Sequence, residues 1–572
     1  MLKQLLNKKW GWLILVVILV VVNILLSFFH FRVDLTGEKR YTISKPTNNL
    51  IKNLDDVVDI TVFLDGDMPA GFRKLAGSAD DMLQSFKAIS PNLVRYRFIR
   101  PGEGLADTAK AALYDSLRRM GINPTNVKAQ TKQGEGMEET LVFPGAIVKY
   151  ADREIGIDFL QGQSSLDGIN SLNNAESLLE YKFADAIHKI TADTIPMIAY
   201  LTGNGEPVDY RVYDLIENAL RPNYGFRILP IDSVPVIPNL FNAILIVKPV
   251  HRFSEQQKLK IDQYIMNGGN VIWAVDNLYA SLDSLQRSQG EFIAFDMGLN
   301  LEDQLFKYGV RINQDLVQDL QSDKIPSVIG SMGDKPQIEV LPWPYFPLLR
   351  NVSGNAIAKN LDYVLSQFPQ SIDTVKAPGI TKTILLSTSP ESRILPSPAK
   401  VEWASIRTQD DLNTFNKGNL PVVVLLEGRF QSIFANRISS AMADTLARLY
   451  GTPFKPMADK PGKMIVAADG DLLLNAVTQN EGPLQMGMNS YTKQQYANRE
   501  FLLNSIEALV DNSGILETRA KDYTLRLLDK TKVEESKNYW QILNILVPVI
   551  LIIMAVGIYQ YIRRTAFAQV LK

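Results

Sequence analysis

Residues 243–275 read AILIVKPVHRFSEQQKLKIDQYIMNGGNVIWAV and contain the clearest secondary-structure pattern in the chain. The apolar runs AILIV and VIWAV at its two ends are typical of buried strands. Between them, Ser254 and Gln257 form a capping-box pattern that begins a helix, and the glycine pair at 268–269 ends it. Strands joined by helices in this way form a parallel sheet with right-handed crossovers, so this stretch predicts an α/β fold.

A second strand, turn and helix pattern opens just upstream at Pro196, where MIAYL is followed by TGNGEP and then by DYRVYDLIENAL. Ligands of open parallel sheets bind outside the carboxyl ends of the strands. This rule places near the expected site Thr202, Gly203, Gly205, Glu206 and Asp276.

The acidic residues at these strand ends have two interpretations. Glu206 and Asp276 could contact a ligand or work as a general acid and base, or they could cap the next helix or face water. Asp469 and Asp471 end another strand, in KMIVAADGDLLL, and carboxylates suit hard cations. Two acids are too few to predict a metal, so they remain candidate ligand or partner contacts.

Composition excludes several kinds of chemistry. The 572 residues contain no cysteine, which excludes disulfides, a thiol nucleophile and a thiolate metal site, and the three histidines are widely scattered. The 60 Lys and Arg balance 61 Asp and Glu, so a nucleic-acid partner is not expected. Gly462 and Lys463 are followed by Met464 rather than by Ser or Thr, so they form no P-loop. We therefore expect no catalytic, cofactor-binding or metal-binding residues and no cofactor.

Two apolar runs, at 10–29 and 540–562, are each long enough to cross a bilayer as a helix, because 20 residues rise about 30 Å. A secretory signal peptide is the alternative for the first run. Its apolar part is too long for that, and the following SFFHFRVD offers bulky residues where a small-residue cleavage site should stand. The sequence therefore predicts two transmembrane helices and a lipid bilayer as a partner.

Basic residues flank these runs, with Lys3, Lys8 and Lys9 before the first and Arg563 and Arg564 after the second. Positively charged flanks stay in the cytoplasm. Residues 1–9 and 563–572 are thus predicted to be cytoplasmic. The bulk of the chain would lie in the periplasm, beyond the inner membrane of a bacterium.

The external region is long enough for about three domains. Residues 30–192 alternate strands and helices and predict a membrane-proximal α/β domain. Residues 193–300 form the central α/β domain, which parts of 370–475 complete. Residues 301–535 read as a mixed β-rich and α/β region.

Several segments in this order resemble one protein family. They are RVDLTGEKRYTIS at 32–44, NNAESLLEYKFADAI at 173–187, IAYLTGNGEP at 198–207, KYGVRINQDLVQD at 307–319 and IVAADGDLLLN at 465–475. Between two apolar runs, this set resembles the auxiliary, substrate-binding-like component of the gliding-motility ABC transporter of Bacteroidetes. One departure is Asn204, where relatives often carry histidine in a GHGE motif.

The resemblance implies that the central domain is flavodoxin-like and similar to class I glutamine amidotransferases. The KPVH segment at 248–251 stands where active relatives place a nucleophilic cysteine, which implies a binding or scaffolding module. It also implies two partners, a multi-span ABC permease and a cytoplasmic ABC ATPase.

The resulting hypothesis is a non-enzymatic, two-span subunit that couples the permease and ATPase to a periplasmic ligand or protein in a system linked to gliding motility. One alternative is a membrane-anchored envelope enzyme acting on sugar or lipid at the strand-end cleft. Its carboxylates would converge within about 5–10 Å, as in glycosidases. Another is a structural scaffold, which would have no ligand-sized pocket.

Overall fold

The computed structural model contains two compact units, residues 1–522 and 523–572, each described by itself below. The described residues are 42–66, 68–130, 137–161, 168–288, 290–332, 335–403, 406, 408–451, 453–511, 513–520 and 530–568, with helical positions 16, 17, 20 and 21. The rest of the predicted first span at 10–29 lies outside the described residues.

The first domain is an α/β unit around a four-stranded sheet in the order β2-β1-β5-β6. Its strands are β1 (Val58–Val62), β2 (Val94–Phe98), β3 (Thr125–Gln130), β4 (Met137–Val142), β5 (Gly145–Tyr150) and β6 (Arg153–Asp158). Its helices are α1 (Lys45–Lys52), α2 (Ala70–Ile89), α3 (Asp107–Arg119), α4 (Gly168–Ser177) and α5 (Leu179–Thr191). Among the described strands of this domain, β1 and β2 pair in parallel, the other pairings are antiparallel, and β3 with β4 forms a separate ribbon.

The rest of the first unit contains most of the strands. They are β7 (Met197–Thr202), β8 (Gly225–Pro230), β9 (Ala243–Val247), β10 (Asn270–Ala274), β11 (Leu278–Tyr279), β12 (Glu291–Asp296), β13 (Val310–Ile312), β14 (Asp315–Asp319), β15 (Ser322–Met332), β16 (Lys335–Asn351), β17 (Val364–Leu365), β18 (Ile372–Thr374), β19 (Ile380–Ser387), β20 (Ser392–Pro396), β21 (Ala399–Glu402), β22 (Pro421–Gly428), β23 (Gly462–Ala467), β24 (Val477–Thr478) and β25 (Gly482–Pro483).

The helices of this part are α6 (Glu255–Met266), α7 (Leu282–Arg287), α8 (Glu302–Tyr308), α9 (Gln409–Asn413), α10 (Ser440–Tyr450) and α11 (Asn498–Val510). A π-helix covers Asp214–Leu220, and short 3-10 turns cover Tyr210–Val212, Ile231–Ser233, Asp471–Leu473 and Leu516–Ala520.

A ten-stranded sheet organises this part, with the path β15-β16-β19-β22-β23-β10-β9-β7-β8 and with β17 paired to β16 beside this path. The strands β8, β7, β9, β10 and β23 run parallel to one another. The strands β22, β19, β16 and β15 continue the sheet in antiparallel pairing. The strand, helix and strand predicted at 243–275 are β9, α6 and β10.

Both faces of the parallel sheet are covered, which explains why β9 is apolar at every position. Leu245 lies in the core cluster with Leu502 and Ile506 of α11. Ile244 and Ile246 lie in the opposite cluster, which also contains residues of α6 and α8. The sheet is therefore buried between two helical layers.

The capping box predicted for α6 is present. The Ser254 hydroxyl accepts the Gln257 backbone N–H, and the Gln257 side chain accepts the Ser254 N–H. After the helix, Gly268 has φ +95°, and a Cβ on Gly269 would stand 2.2 Å from the Tyr264 ring. The glycine pair thus ends α6 and lets the backbone pass close to the Tyr264 ring.

Helix α5 of the first domain packs against α11 through a charged cluster. The Lys189 ammonium lies 2.8 Å from Asp185 and 3.1 Å from Glu507. His188 Nε2 lies 3.4 Å from Asp511. Two carboxylates therefore share one ammonium where the first domain meets the last helix of the sheet.

The second unit contains α12, Lys530–Ala568. Within it, Tyr539–Thr565 is 27 residues long, and its most apolar 18-residue window has a mean hydropathy of 2.7 and is not buried. A helix this long and apolar can cross a bilayer, which suggests that the chain is membrane-associated. It contains the span predicted at 540–562.

Candidate functional site

The carboxyl ends of β9, β10 and β23 bring together four charged side chains. Lys248 follows β9, Asp276 lies two residues beyond β10, and Asp469 and Asp471 follow β23. The three strands are adjacent and parallel, so their ends meet at one edge of the sheet. Of the residues proposed from the sequence, Asp276, Asp469 and Asp471 are thus gathered in one cluster, which we call the Lys248 cluster.

Lys248 is the centre of this cluster. Its backbone has φ +49°, a left-handed conformation that is costly for a residue with a side chain. Its ammonium forms an ion pair with Asp471 and lies 3.3 Å from Asp276 Oδ2. Burial alone would lower the pKa of Lys248, but the attraction of Asp471 and Asp276 outweighs it and raises the pKa. The lysine is therefore held in its charged form.

Asp469 is fully buried and links distant parts of the chain. Its Oδ2 accepts the Ser366 hydroxyl and the Gln367 backbone N–H at 2.8 Å, and its Oδ1 accepts the Asp471 N–H at 2.7 Å. Burial raises the pKa of Asp469 well above its usual range, and the charges of Asp276 and Asp471 raise it further. Asp469 thus fastens the segment after β17 to the end of β23.

Asp276 has a similar double contact. Its Oδ1 accepts the Gly470 N–H at 2.7 Å while its Oδ2 faces Lys248. Burial raises the pKa of Asp276, and Lys248 opposes the rise. A glycosidase pair needs one acid and one carboxylate that both face substrate. Here Asp276 and Asp471 instead face the same ammonium, an arrangement that joins strand ends.

Glu206 belongs to a second network, at the loop after β7. Its Oε2 accepts the backbone N–H groups of Gly203 at 2.9 Å and of Asn204 at 2.7 Å. Successive backbone N–H groups of this kind form an anion-binding nest. The carboxylate of the loop itself occupies the nest. Burial raises the pKa of Glu206, and its Oε1 has no hydrogen-bond partner among the described residues.

Asn204 ties this loop to the loop after β9. Its backbone carbonyl accepts the N–H groups of Val250 and His251, each at 2.8 Å, and its side-chain amide donates to Gln257 Oε1 at 3.1 Å. The crevice between β7 and β9 is therefore bridged by protein. Thr202 ends β7 and precedes this loop.

Gly205 cannot carry a side chain here without strain. Its φ is +82°, and a Cβ would stand 2.4 Å from Val250 Cγ2. We expect Gly205→Ala to lower the free energy of unfolding by about 2–4 kcal/mol, through left-handed strain and the clash. Urea unfolding measures the loss. Gly104→Ala is the matched control, because Gly104 has φ +74° and no atom within 4 Å of a Cβ. Equal losses of unfolding free energy in both variants would contradict the close contact between Gly205 and Val250 that bridges the crevice.

No group of three or more metal-ligating side chains is placed to hold a metal ion within the described residues. Sequence reasoning did not single out Lys248, Asn204 or Ser366 as members of these networks. A lysine directly after the apolar run AILIV was the available signal, since a charged residue at a buried strand end needs a partner.

A known protein family matches the region that contains these networks. A family model described as an ABC-type uncharacterized transport system, auxiliary component, matches residues 196–505, more than half of the chain and the whole region from β7 into α11. The chain belongs to this ABC transport auxiliary family. Both networks lie in the part that the family model covers. A second model, for a domain of unknown function (DUF7088), matches residues 37–149 in the first domain.

Among solved structures, the N-terminal domain of mmIFT52 is similar to this auxiliary protein at 11% identity and a TM-score of 0.29. The alignment covers 58% of this chain and 100% of that domain. A likeness this low supports no conclusion on fold or function. No curated protein matches the chain.

Proposed function

We propose that this chain is a non-enzymatic auxiliary subunit of an ABC transporter complex of the inner membrane, with two membrane spans and its bulk in the periplasm. Its external domains couple a multi-span permease and a cytoplasmic ATPase to a periplasmic ligand or protein. The observation that carries the proposal is the family match over residues 196–505, in a chain that also has an exposed apolar helix at Tyr539–Thr565. The segments that resemble the gliding-motility transporter component support a link to that system.

The order of the parallel strands supports a flavodoxin-like core. Numbered along the chain, β7, β8, β9, β10 and β23 stand in the order 2-1-3-4-5 across the sheet. Flavodoxin-like doubly wound sheets have this order. The likeness to amidotransferases rests on the resemblance noted in the sequence.

The state of Lys248 supports a role without catalysis. In amidotransferase-like relatives, a cysteine nucleophile is expected near this strand end. Here two carboxylates hold a lysine in its charged form, and a protonated amine is neither a nucleophile nor a base. The networks at the strand ends thus favour a rigid module that presents its surface to partners.

Affinity purification of the full-length chain from its native membrane in mild detergent, followed by mass spectrometry, tests the proposal. We expect a multi-span permease and a P-loop ATPase in near-equal amounts with the chain. A chain that ends at residue 522, the boundary of the two compact units, is the comparison variant, and we expect it to recover less permease.

Recovery of the full-length chain alone, with both partners present in the lysate, would contradict the proposal. It would favour an anchored enzyme or a free-standing scaffold. A hydrolase or transferase activity that is lost on Asp276→Ala would contradict the non-enzymatic part.

A further inference from the structure

A cavity of about 540 Å³ lies between α8 and the segment after β22, and none of its lining residues belongs to the strand-end networks. Phe306, Lys307 and Arg311 line one side, and Ser432, Ile433 and residues 435–437 line the other. Cavities that hold small molecules have volumes of about 300–1,000 Å³. The size therefore suits a ligand of one or two sugar rings.

The buried carboxylate of Asp262 fixes both sides of this cavity. Its Oδ1 accepts the Tyr308 hydroxyl of α8 at 2.9 Å and the Ile433 N–H at 3.2 Å. Its Oδ2 accepts the Ser432 hydroxyl at 2.6 Å. The side chain of Asp262 thus connects α8 to the segment at 432–433, the two walls of the cavity. The cavity is therefore formed before any ligand binds.

Three of the five charged side chains that line the cavity are paired, and the other two, Glu302 and Lys307, have opposite signs. Asp303 lies 2.6 Å from the Lys258 ammonium and 3.3 Å from Arg437, and Arg311 forms an ion pair with Asp373. Despite partial burial, Lys258 and Arg437 hold the pKa of Asp303 below its usual range. A phosphate or a nucleotide is bound by cations with charge to spare. The pairing at this cavity therefore favours a ligand without net charge.

Phe306 gives the cavity an apolar platform. Its side chain is 51% exposed, although a phenylalanine is usually buried. Planar groups of both hydrogen-bonding types also line the cavity, with guanidinium donors on Arg311 and Arg437 and a carboxylate acceptor on Asp303. An exposed amide on Asn436 can donate and accept.

We propose that this cavity binds a neutral saccharide. A sugar ring presents a face of C–H groups that stacks on an aromatic ring, and hydroxyls that both donate and accept hydrogen bonds. Phe306 provides the stacking surface, and the paired charged groups with Asn436 provide the hydrogen bonds. A lipid tail would need a continuous apolar lining, which the charged residues interrupt. This site is independent of the transporter partners proposed above.

Saturation-transfer NMR on the full-length chain tests the proposal. The detergent is lauryldimethylamine oxide, because a maltoside detergent would itself compete as a sugar. The probes are maltose, cellobiose and N,N′-diacetylchitobiose, with glucose 6-phosphate as the charged comparison. We expect transfer to at least one neutral disaccharide, with weaker transfer to the phosphate.

Three variants assign the signal to the cavity. Phe306→Ala is expected to weaken binding about tenfold or more, since stacking is lost. Phe306→Trp is expected to keep it. Phe295→Ala is the matched control, because Phe295 is 56% exposed on β12 and lies outside the cavity; it is expected to bind normally.

Absence of transfer to all three neutral probes would overturn the proposal, and so would equal binding by the Phe306→Ala variant. Stronger binding of glucose 6-phosphate would show an anion site instead. These outcomes are separate from the co-purification result, because sugar binding can persist in a chain that has no transporter partners.

Discussion

Lys248→Met is expected to lower the free energy of unfolding by about 3–5 kcal/mol at pH 7, the usual cost of leaving buried charges without their partner. Lys248 is the cation that contacts both Asp276 and Asp471, and methionine fills similar space without a charge. Urea unfolding of the detergent-solubilised chain measures the loss. Intrinsic tryptophan fluorescence follows the unfolding, and one of the six tryptophans, Trp273, is buried in the adjacent β10.

The loss of unfolding free energy in the Lys248→Met variant should depend on pH. Burial raises the pKa values of Asp276 and Asp469, and removal of the lysine raises them further. A carboxyl group with a raised pKa in the folded state stabilises below its unfolded pKa and loses that contribution as the pH rises through the folded pKa. The deficit of the Lys248→Met variant should therefore be small near pH 4 and complete at neutral pH.

Lys400→Met is the matched control for this experiment. Lys400 also lies near two carboxylates, 2.7 Å from Glu291 and 3.5 Å from Glu402, but its side chain is exposed. Exposed ion pairs contribute little to stability, so we expect almost no change. Similar losses in the two variants, or a loss that is the same at every pH, would contradict the burial argument.

Glu507→Gln is expected to stabilise the chain at pH 8 by about 2–4 kcal/mol and to leave it almost unchanged at pH 5. Burial and the nearby Asp185 raise the pKa of Glu507 from 4.5 to about 8, while Lys189 opposes the rise. Between these two values the unfolded state releases a proton that the folded state keeps. Stability therefore falls as the pH rises through this window, and glutamine removes the slope because it does not titrate.

Urea unfolding from pH 5 to pH 9 measures this effect. Glu517→Gln is the control, because the same substitution is made nearby at an exposed position. We expect its pH profile to match that of the unchanged chain. If Glu507→Gln were destabilising at every pH, the ion pair with Lys189 would be net stabilising and Glu507 would be ionised in the folded state.

Local sequence patterns predicted the centre of the sheet. The strand β9, the capped helix α6 and the strand β10 follow from apolar periodicity, a capping box and a glycine pair. Asp276 and Asp469 follow the apolar runs that form β10 and β23, so the sequence predicted their positions after strand ends. Lys248, which pairs with Asp276 and Asp471, was not predicted, and its ion pair with Asp471 joins positions more than 200 residues apart.

The Pro- and aromatic-rich segment LPWPYFPLL shows another limit of local reasoning. It lies in β16, a strand of 17 residues, and Trp343 is only 2% exposed. A run of prolines and aromatic residues is compatible with either a binding surface or a packed irregular loop. It is a packed strand in which Trp343, Tyr345 and Phe346 pack against Phe368, from the segment that follows β17.

By itself, the sequence determined the features that depend on neighbouring residues. These are the α/β character of the chain, the strand ends that carry acids, the absence of cysteine chemistry and the apolar run that became Tyr539–Thr565. The tertiary structure alone decided which strand ends share a lysine, that Glu206 fills its own anion nest, and that Phe306 stands over a cavity. These features depend on the contacts of residues far apart in the chain, and local periodicity carries no information on which distant side chains meet.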